Sequence, residues 1–373
     1  MDNPIRVLFL DTVMDYGGAE TMTMNYYRNI DRTKVQFDFL VHREYKAEYE
    51  DEIISLGGRI FRICPPYPQN FFKYNRELKQ FFTLHPEYKI IHCNMMDRGL
   101  FAYRIAKQCG VPVRICHAHT SKNELSVKNI ILSFYKKLML KYITHKFSCG
   151  IEASKYLYGE NNIDDVIYMK NAVDAEKFRY NENISKEIRK EFNIENKFVI
   201  GHVGRFFPPK NHSFIIDIFA EIAKEVPDAI LMLVGGGDSD NIASSKIKLK
   251  VNELGLKDKV LFTGVRSDVN RVIQAFDVFI LPSLHEGFPL VLIEAQAAGL
   301  KCIVSDRVGK ECNVTGQIDF LPLESGAKTW ANHIINYKGI SRFVDAVPKI
   351  VEHGYDIHAN AKWLQEFYLN SIK

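Results

Sequence analysis

The chain of 373 residues is 46% hydrophobic and 25% charged, with only 22 Gly and 13 Pro; this excludes disordered, collagenous and coiled-coil chains, and the length suits two globular domains. No apolar run approaches the roughly 18 residues needed to cross a bilayer, and the first residues carry neither the basic nor the apolar region of an export signal, so a cytoplasmic protein is expected. The formal net charge of +4 divides unevenly: residues 1–190 hold 29 Lys and Arg against 23 Asp and Glu, a balance of +6, and the remainder balances at −2.

In chain order, short β-branched or aromatic runs recur with amphipathic stretches between them, the pattern of parallel βαβ units. The first half predicts strands at Arg6–Leu10, Gln36–Val41, Arg59–Ile63, Lys89–Cys93, Val113–Cys116 and Lys146–Cys149. Asn171–Asn196 follows, polar and rich in Asn, Glu and Lys, and reads as a connection that carries the domain hinge. The second half repeats the scheme at Phe198–Val203, Ala229–Val234, Val260–Thr263, Val278–Leu281 and Cys302–Val304. Between the first two of these, Phe214, Ile215, Ile218, Phe219, Ile222, Ala223 and Val226 keep one helical face, which Pro227 ends. The last segment, Ile357–Ile372, is helical and carries Trp363, Leu364, Phe367 and Tyr368. The expected fold class is α/β, with two doubly wound Rossmann-like domains: 1–175, with 357–373 as a candidate addition, and 190–355. Sheets of this kind bind ligands at the carboxyl ends of their strands, here expected in a cleft between the domains. Seven cysteines without a C-x-x-C pair form neither a disulfide framework nor a zinc-ligand spacing, and read as reduced thiols.

Several loops after predicted strands carry candidate chemistry. Gly17-Gly18-Ala19-Glu20 precedes a helix, where bare backbone N–H groups and the helix dipole favour an anion. Its spacing is neither a dinucleotide fingerprint nor a Walker loop. Cys116-His117-Ala118-His119 ends a strand whose alternation puts both histidines on one face. H-x-H also suits a metal, but no third ligand is evident by spacing. Gly204-Arg205 and Lys210-Asn211 set two cations on one loop, Arg205 able to bind a diphosphate as a fork and Lys210 as a point charge. Gly264-Val265-Arg266 follows another strand and offers Arg266 to a base or to solvent. Pro282 to Ala295 puts Glu286 on a loop, Pro289 at a helix start and Glu294 inside an otherwise apolar helix, where a ligand hydroxyl could satisfy it.

Together these motifs resemble the retaining GT-B glycosyltransferases of family 4, in order and over nearly the whole chain. The resemblance rests on the Glu-x7-Glu pair Glu286 and Glu294, on Gly204, Arg205, Lys210 and Asn211, on the early Gly-Gly-Ala-Glu loop, and on the Pro-Ser to Glu-Gly-Phe-Pro run. The phrases IGHVGRF, KNHSF, HEGFPLVLIEAQAAGL and RICHAHTS are most similar to the branch acting in bacterial exopolysaccharide and capsule assembly. What this implies is a GT-B architecture, the two domains facing across a cleft, with a nucleotide-sugar donor on the second domain, UDP preferred, and a glycan or lipid-linked acceptor on the first. No metal or other cofactor is implied. Arg205 and Lys210 would stabilise the diphosphate leaving group, and Glu294 would take the ribose hydroxyls. Glu286, with the backbone of Gly287, Phe288, Pro289 and Leu290, would hold the sugar, and Gly17 and Gly18 would face the phosphates. Gly204, Val291 and Arg266 complete the expected donor-binding set. One histidine of the first domain is a family site residue; His117 and His119 both qualify, and His119, nearer the loop, is preferred. Retention is expected by a front-face path in which a donor phosphate oxygen takes the acceptor proton.

Two departures stand out. Asp238-Ser239-Asp240 spells the metal signature of a different transferase fold, but in this position reads as a turn or cap. The family's hinge glycine is replaced in Asn171-Ala172-Val173-Asp174, so a positive φ there would be resisted. Residues 98–146 hold 10 basic residues and only Glu124 acidic. Within them, Ser126–Lys146 reads as a basic amphipathic helix for an anionic membrane surface at the inner face of the cell membrane, or as an ordinary surface helix packed on its own sheet. Nucleic acid is not expected. The rivals to transfer are a sugar-nucleotide epimerase of the same architecture and a catalytically silent sugar-nucleotide-binding scaffold.

Overall fold

The computed structural model describes residues 3–119, 134–236, 242–286 and 288–373. The chain divides into two compact units, Met1–Ala172 together with Ile357–Lys373, and Val173–Asp356.

In the first unit the strands are β1 (Ile5–Leu10), β2 (Val35–Val41), β3 (Ile60–Arg62), β4 (Ile90–Cys93), β5 (Val113–Ala118), β6 (His145–Ser148) and β7 (Val166–Tyr168). All pair in parallel, in the order β3-β2-β1-β4-β5-β6-β7. Alternate side chains divide between two cores. Val7, Phe9, Phe37 and Phe39 pack with Met22, Tyr26 and Tyr27 of the helix Gly18–Asn29 on one face. Leu8, Leu10, Leu40 and Ile91 pack with Tyr74 and Leu78 of the helix Phe71–Leu84 on the other. Burial on both faces is why Val7–Leu10 of β1 reads as a continuous apolar run, whereas β2 carries Gln36 and Asp38 among its apolar residues. The helix Ile357–Ser371 belongs to this unit, with Ile357, Ala361, Leu364 and Tyr368 fully buried in the first of the two cores. One carboxylate is buried inside β2: Asp38 accepts from Arg6 twice at 2.5 Å, from Tyr88 Oη at 2.7 Å and from Arg59 N at 2.7 Å, so its lone pairs are filled.

The second unit holds β8 (Phe198–Val203), β9 (Ala229–Val234), β10 (Val260–Gly264), β11 (Val278–Leu281), β12 (Lys301–Ser305) and β13 (Ile318–Leu321), in the order β10-β9-β8-β11-β12-β13. The helix His212–Glu225 buries Ile215, Ile218, Phe219 and Ile222, four residues of the predicted face. In both sheets the chain builds outward from a central strand one way and then the other, so β1 lies between β2 and β4, and β8 between β9 and β11. At such switch points the loops leave in opposite directions and open a crevice for ligands.

The structure differs from the sequence expectation in two places, the edge strands and the 171–196 segment. β7 and β13 were not predicted; both are edge strands, of 3 and 4 residues, too short to show a period. Asn171–Asn196 is more than a connection. It forms the helices Ala175–Phe178 and Glu182–Glu191, and buries Phe178, Ile188 and Ile194 in the second unit's core. Asp174 and Asn181 cap these helices, so a single buried stripe suffices despite the polar composition. As expected from Ala172, no left-handed residue is used where Ala172 gives way to Val173: among the described residues, those with positive φ other than Gly are Met96, Asn193 and Asn211. Finally, residues 126–133 of the basic segment lie outside the described residues. Of the rest, Leu138, Met139, Leu140 and Ile143 pack on the first unit's core, and Lys146 pairs with Asp165 at 2.6 Å, leaving Phe134, Lys137 and Lys141 exposed.

Candidate active site

In the second unit β8 and β11 end side by side, and their loops bring together residues 76 apart in sequence. Lys210 Nζ lies 2.6 Å from Glu286 Oε1, and Ser283 Oγ donates to the same oxygen at 2.7 Å. Two bonds between the loops fix this register: Leu284 N to Pro209 O at 2.8 Å, and Asn211 Nδ2 to Pro282 O at 3.1 Å. Asn211 takes the left-handed conformation that ends the short turn Pro208–Lys210 and starts the next helix. Arg205 is exposed and has no ion-pair partner among the described residues. Gly204 leaves bare backbone beside this pair. A Cβ there would meet His202 Nε2 at 3.0 Å and the Lys210 side chain at 3.5 Å. A Cβ on Gly235, which has φ +140, would collide with the Gly204 carbonyl, so the two loops meet backbone to backbone.

Glu294 sits in the helix Leu290–Ala297 with no hydrogen-bond partner among the described residues. Burial pushes its carboxyl up to about 7, and Lys177 opposes the shift. Pro289 precedes this helix in an extended conformation, Phe288 stacks on Tyr355 at 5.1 Å, and Leu290 and Val291 lie partly buried against the core. Gly287 and the pair Asp238 and Asp240 lie outside the described residues. Arg266 is ion-paired within its own unit. It follows β10, two strands from β8, and its guanidinium is held by Asp268 at 2.7 Å and Glu191 at 3.0 Å.

In the first unit the corresponding strand ends carry polar groups that the sequence did not single out. Asp11 follows β1 and Asn94 follows β4, and Asn94 Nδ2 reaches Asp11 Oδ1 at 3.0 Å and Thr23 Oγ1 at 3.2 Å. His119, after β5, meets Asn94 Oδ1 through Nε2 at 2.9 Å. His117 lies one step back on the same face, its ring 4.0 Å from that of His119, but it is fully buried and bonds His92 at 3.0 Å. His92 in turn meets the Tyr368 hydroxyl at 2.6 Å. His119 is the histidine that reaches the strand end, and His117 belongs to the core. Burial lowers the His119 pKa to about 4, so the ring is neutral at neutral pH. Burial, with the Glu20 charge as a smaller cause, raises the Asp11 carboxyl to about 8. Gly17 and Gly18 open the helix Gly18–Asn29 as expected, but Glu20 folds its carboxylate against Gly17 and already lies at the helix start that phosphates were expected to face.

A family model described as "Glycosyl transferases group 1" matches residues 184–317, a span that contains Arg205, Lys210, Glu286 and Glu294. A putative glycosyltransferase of Bacillus subtilis (strain 168), EpsF, is 33% identical over 374 residues, covering 97% of this chain and 96% of that protein. The chain belongs to the group 1 glycosyltransferases. This glycosyltransferase is also 30% identical over 281 residues, 71% of its length and 67% of the relative's, to an Escherichia coli UDP-Gal:alpha-D-GlcNAc-diphosphoundecaprenol alpha-1,3-galactosyltransferase. Among solved structures, Anabaena Alr3699/HepE in complex with UDP matches with a TM-score of 0.81 at 17% identity, over 98% of this chain and 100% of that one. The likeness in fold agrees with the two Rossmann-like domains of the GT-B class.

Proposed function

We propose that this glycosyltransferase moves a hexosyl or N-acetylhexosaminyl group from a UDP-sugar to a hydroxyl of a glycan or lipid-linked oligosaccharide in bacterial exopolysaccharide or capsule assembly. The observation that carries the reading is the meeting of Lys210 and Glu286 at the β8 and β11 switch point, with Arg205 on the same loop as Lys210, exposed and without an ion-pair partner among the described residues. UDP is supported by the donor in the name of the Escherichia coli relative and by the nucleotide bound to HepE. That relative's diphosphoundecaprenol substrate supports a lipid-linked acceptor. On this reading the protein works in the cytoplasm, at the inner face of the membrane.

Before the donor binds, Lys210 and Glu286 neutralise each other. When it binds, Lys210 turns to the diphosphate beside Arg205, and Glu286 is released to accept from sugar hydroxyls. These two cations supply the charge stabilisation that a divalent ion gives in other transferases, so no metal is required. Glu294, poised near neutrality, can donate to or accept from the ribose hydroxyls. The acceptor oxygen bonds to the anomeric carbon on the face from which the phosphate oxygen leaves. The acceptor proton passes to that departing oxygen, and configuration is retained. His119 of the first unit meets a substrate hydroxyl, and Gly17 and Gly18 admit phosphate only if Glu20 moves aside.

Slow hydrolysis of UDP-sugars by the purified protein tests this. Wild type releases sugar and UDP, and Lys210→Ala lowers the rate by about 100-fold, as expected for removal of one electrostatic stabiliser of the leaving group. Binding of UDP-sugars with neither hydrolysis nor transfer would refute the enzyme reading.

A further inference from the structure

The orientation of one amide decides which nitrogen His119 offers to a ligand. Thr23 Oγ1 donates its single proton to the Ala19 carbonyl, 3.0 Å away, and a carbonyl can only accept. Toward Asn94, at 3.2 Å, the same hydroxyl can therefore only accept, so the Asn94 atom facing it is the amide nitrogen. That nitrogen carries two hydrogens and has two acceptors within reach, Thr23 Oγ1 and Asp11 Oδ1. Turning the amide over would set Asn94 Oδ1 against the hydroxyl oxygen, two acceptors face to face, inside a largely buried site where such a mismatch is costly. The amide oxygen is left facing His119 Nε2 at 2.9 Å. An amide oxygen only accepts, so Nε2 bears the hydrogen and the neutral ring keeps its lone pair on Nδ1. Nδ1 has no hydrogen-bond partner among the described residues, and unlike His117 Nε2 it is not one of the fully buried unpartnered atoms.

We infer that Asn94 is a positioning residue: held by Thr23 and Asp11, it fixes His119 as the Nε2–H tautomer and so makes Nδ1 an acceptor for a substrate hydroxyl. The tautomer stands on hydrogen-bond directions alone, and only the hydroxyl ligand rests on the proposed transferase reading. The chemical consequence is selectivity. A ring nitrogen that can only accept favours a group that donates, and a deoxy or fluoro analogue at that hydroxyl leaves it unpaired. The His117 ring, its centroid 4.0 Å away and its plane tilted by 32°, packs against the His119 ring.

Nitrogen-15 labelling of histidine, read by two-bond proton–nitrogen correlation at neutral pH, reports the tautomer directly, with the His119 signals identified by their loss in His119→Gln. The wild type is expected to show protonated Nε2 and unprotonated Nδ1. Thr23→Val frees the amide to turn and is expected to give a tautomer mixture with UDP-sugar turnover reduced about 10-fold; Thr23→Ser, which keeps the hydroxyl, restores both. A wild-type ring protonated on Nδ1, or a rapidly exchanging mixture, overturns the inference. An unchanged tautomer in folded Thr23→Val overturns the orienting role of Thr23. The wild-type spectrum needs no folded variant and no activity. A tautomer as expected in a protein that turns over no nucleotide sugar would instead overturn the proposed function.

Discussion

Glu294 and Asp11 are carboxyls that burial holds toward their protonated forms, at about 7 and about 8. For Glu294 the folded value lies above the ordinary 4.5, so the folded protein keeps its proton between pH 4.5 and about 7 while the unfolded chain has lost it. Stability therefore falls as pH rises through that window and stays lowered above it. Glu294→Gln removes the titration. Its melting temperature is expected to match wild type near pH 4.5 and to exceed it by about 2–4 °C at pH 8, the shift of about 1 kcal/mol in a domain of this size. Equal melting at pH 8 would mean that the Glu294 carboxylate is not desolvated. Asp11 acts in the same direction from 3.8 to about 8. Carboxyls with raised pKa values beside strand ends are where ligand-binding sites are commonly found.

Strands buried on both faces were legible as apolar runs, and so were the helix His212–Glu225 and the loops holding Arg205, Lys210 and Glu286. Asp11, Thr23 and Asn94 were not. Each is an ordinary polar residue in its own segment. Their meeting depends on β1 lying beside β4, which a separation of 83 residues between Asp11 and Asn94 conceals. Likewise, the Lys210–Glu286 pair appears only once β8 and β11 are neighbours, and the Arg266 partner Glu191 only once the fold brings residues 75 apart together. The basic segment shows the converse. Its aliphatic residues were legible, but Leu138, Leu140 and Ile143 serve the unit's own core, so a membrane would meet mainly Phe134, Lys137 and Lys141 among the described residues. With each cation worth about 1 kcal/mol at an anionic surface, Lys137→Ala combined with Lys141→Ala is expected to lower binding to acidic-lipid liposomes about 30-fold by flotation. Flotation that does not depend on anionic lipid would contradict membrane attachment through this segment.

Across the whole molecule, charge follows the two units. Lys and Arg exceed Asp and Glu by 6 in the first unit and fall short by 2 in the second. On the proposed reading, net charge therefore does not draw a nucleotide diphosphate to the second unit, and the attraction would come locally, from Arg205, Lys210 and the backbone N–H groups at the strand ends. On the proposed reading, the excess of cations in the first unit would favour an acceptor carrying a lipid diphosphate. Transfer with retention at the β8 and β11 switch point is tested most directly by proton NMR of the sugar first released when the purified protein hydrolyses a UDP-α-sugar, read before the anomers equilibrate. The α-anomer is predicted to appear first, and its release to be lost in Lys210→Ala. The β-anomer appearing first, or undiminished release by Lys210→Ala, would contradict it.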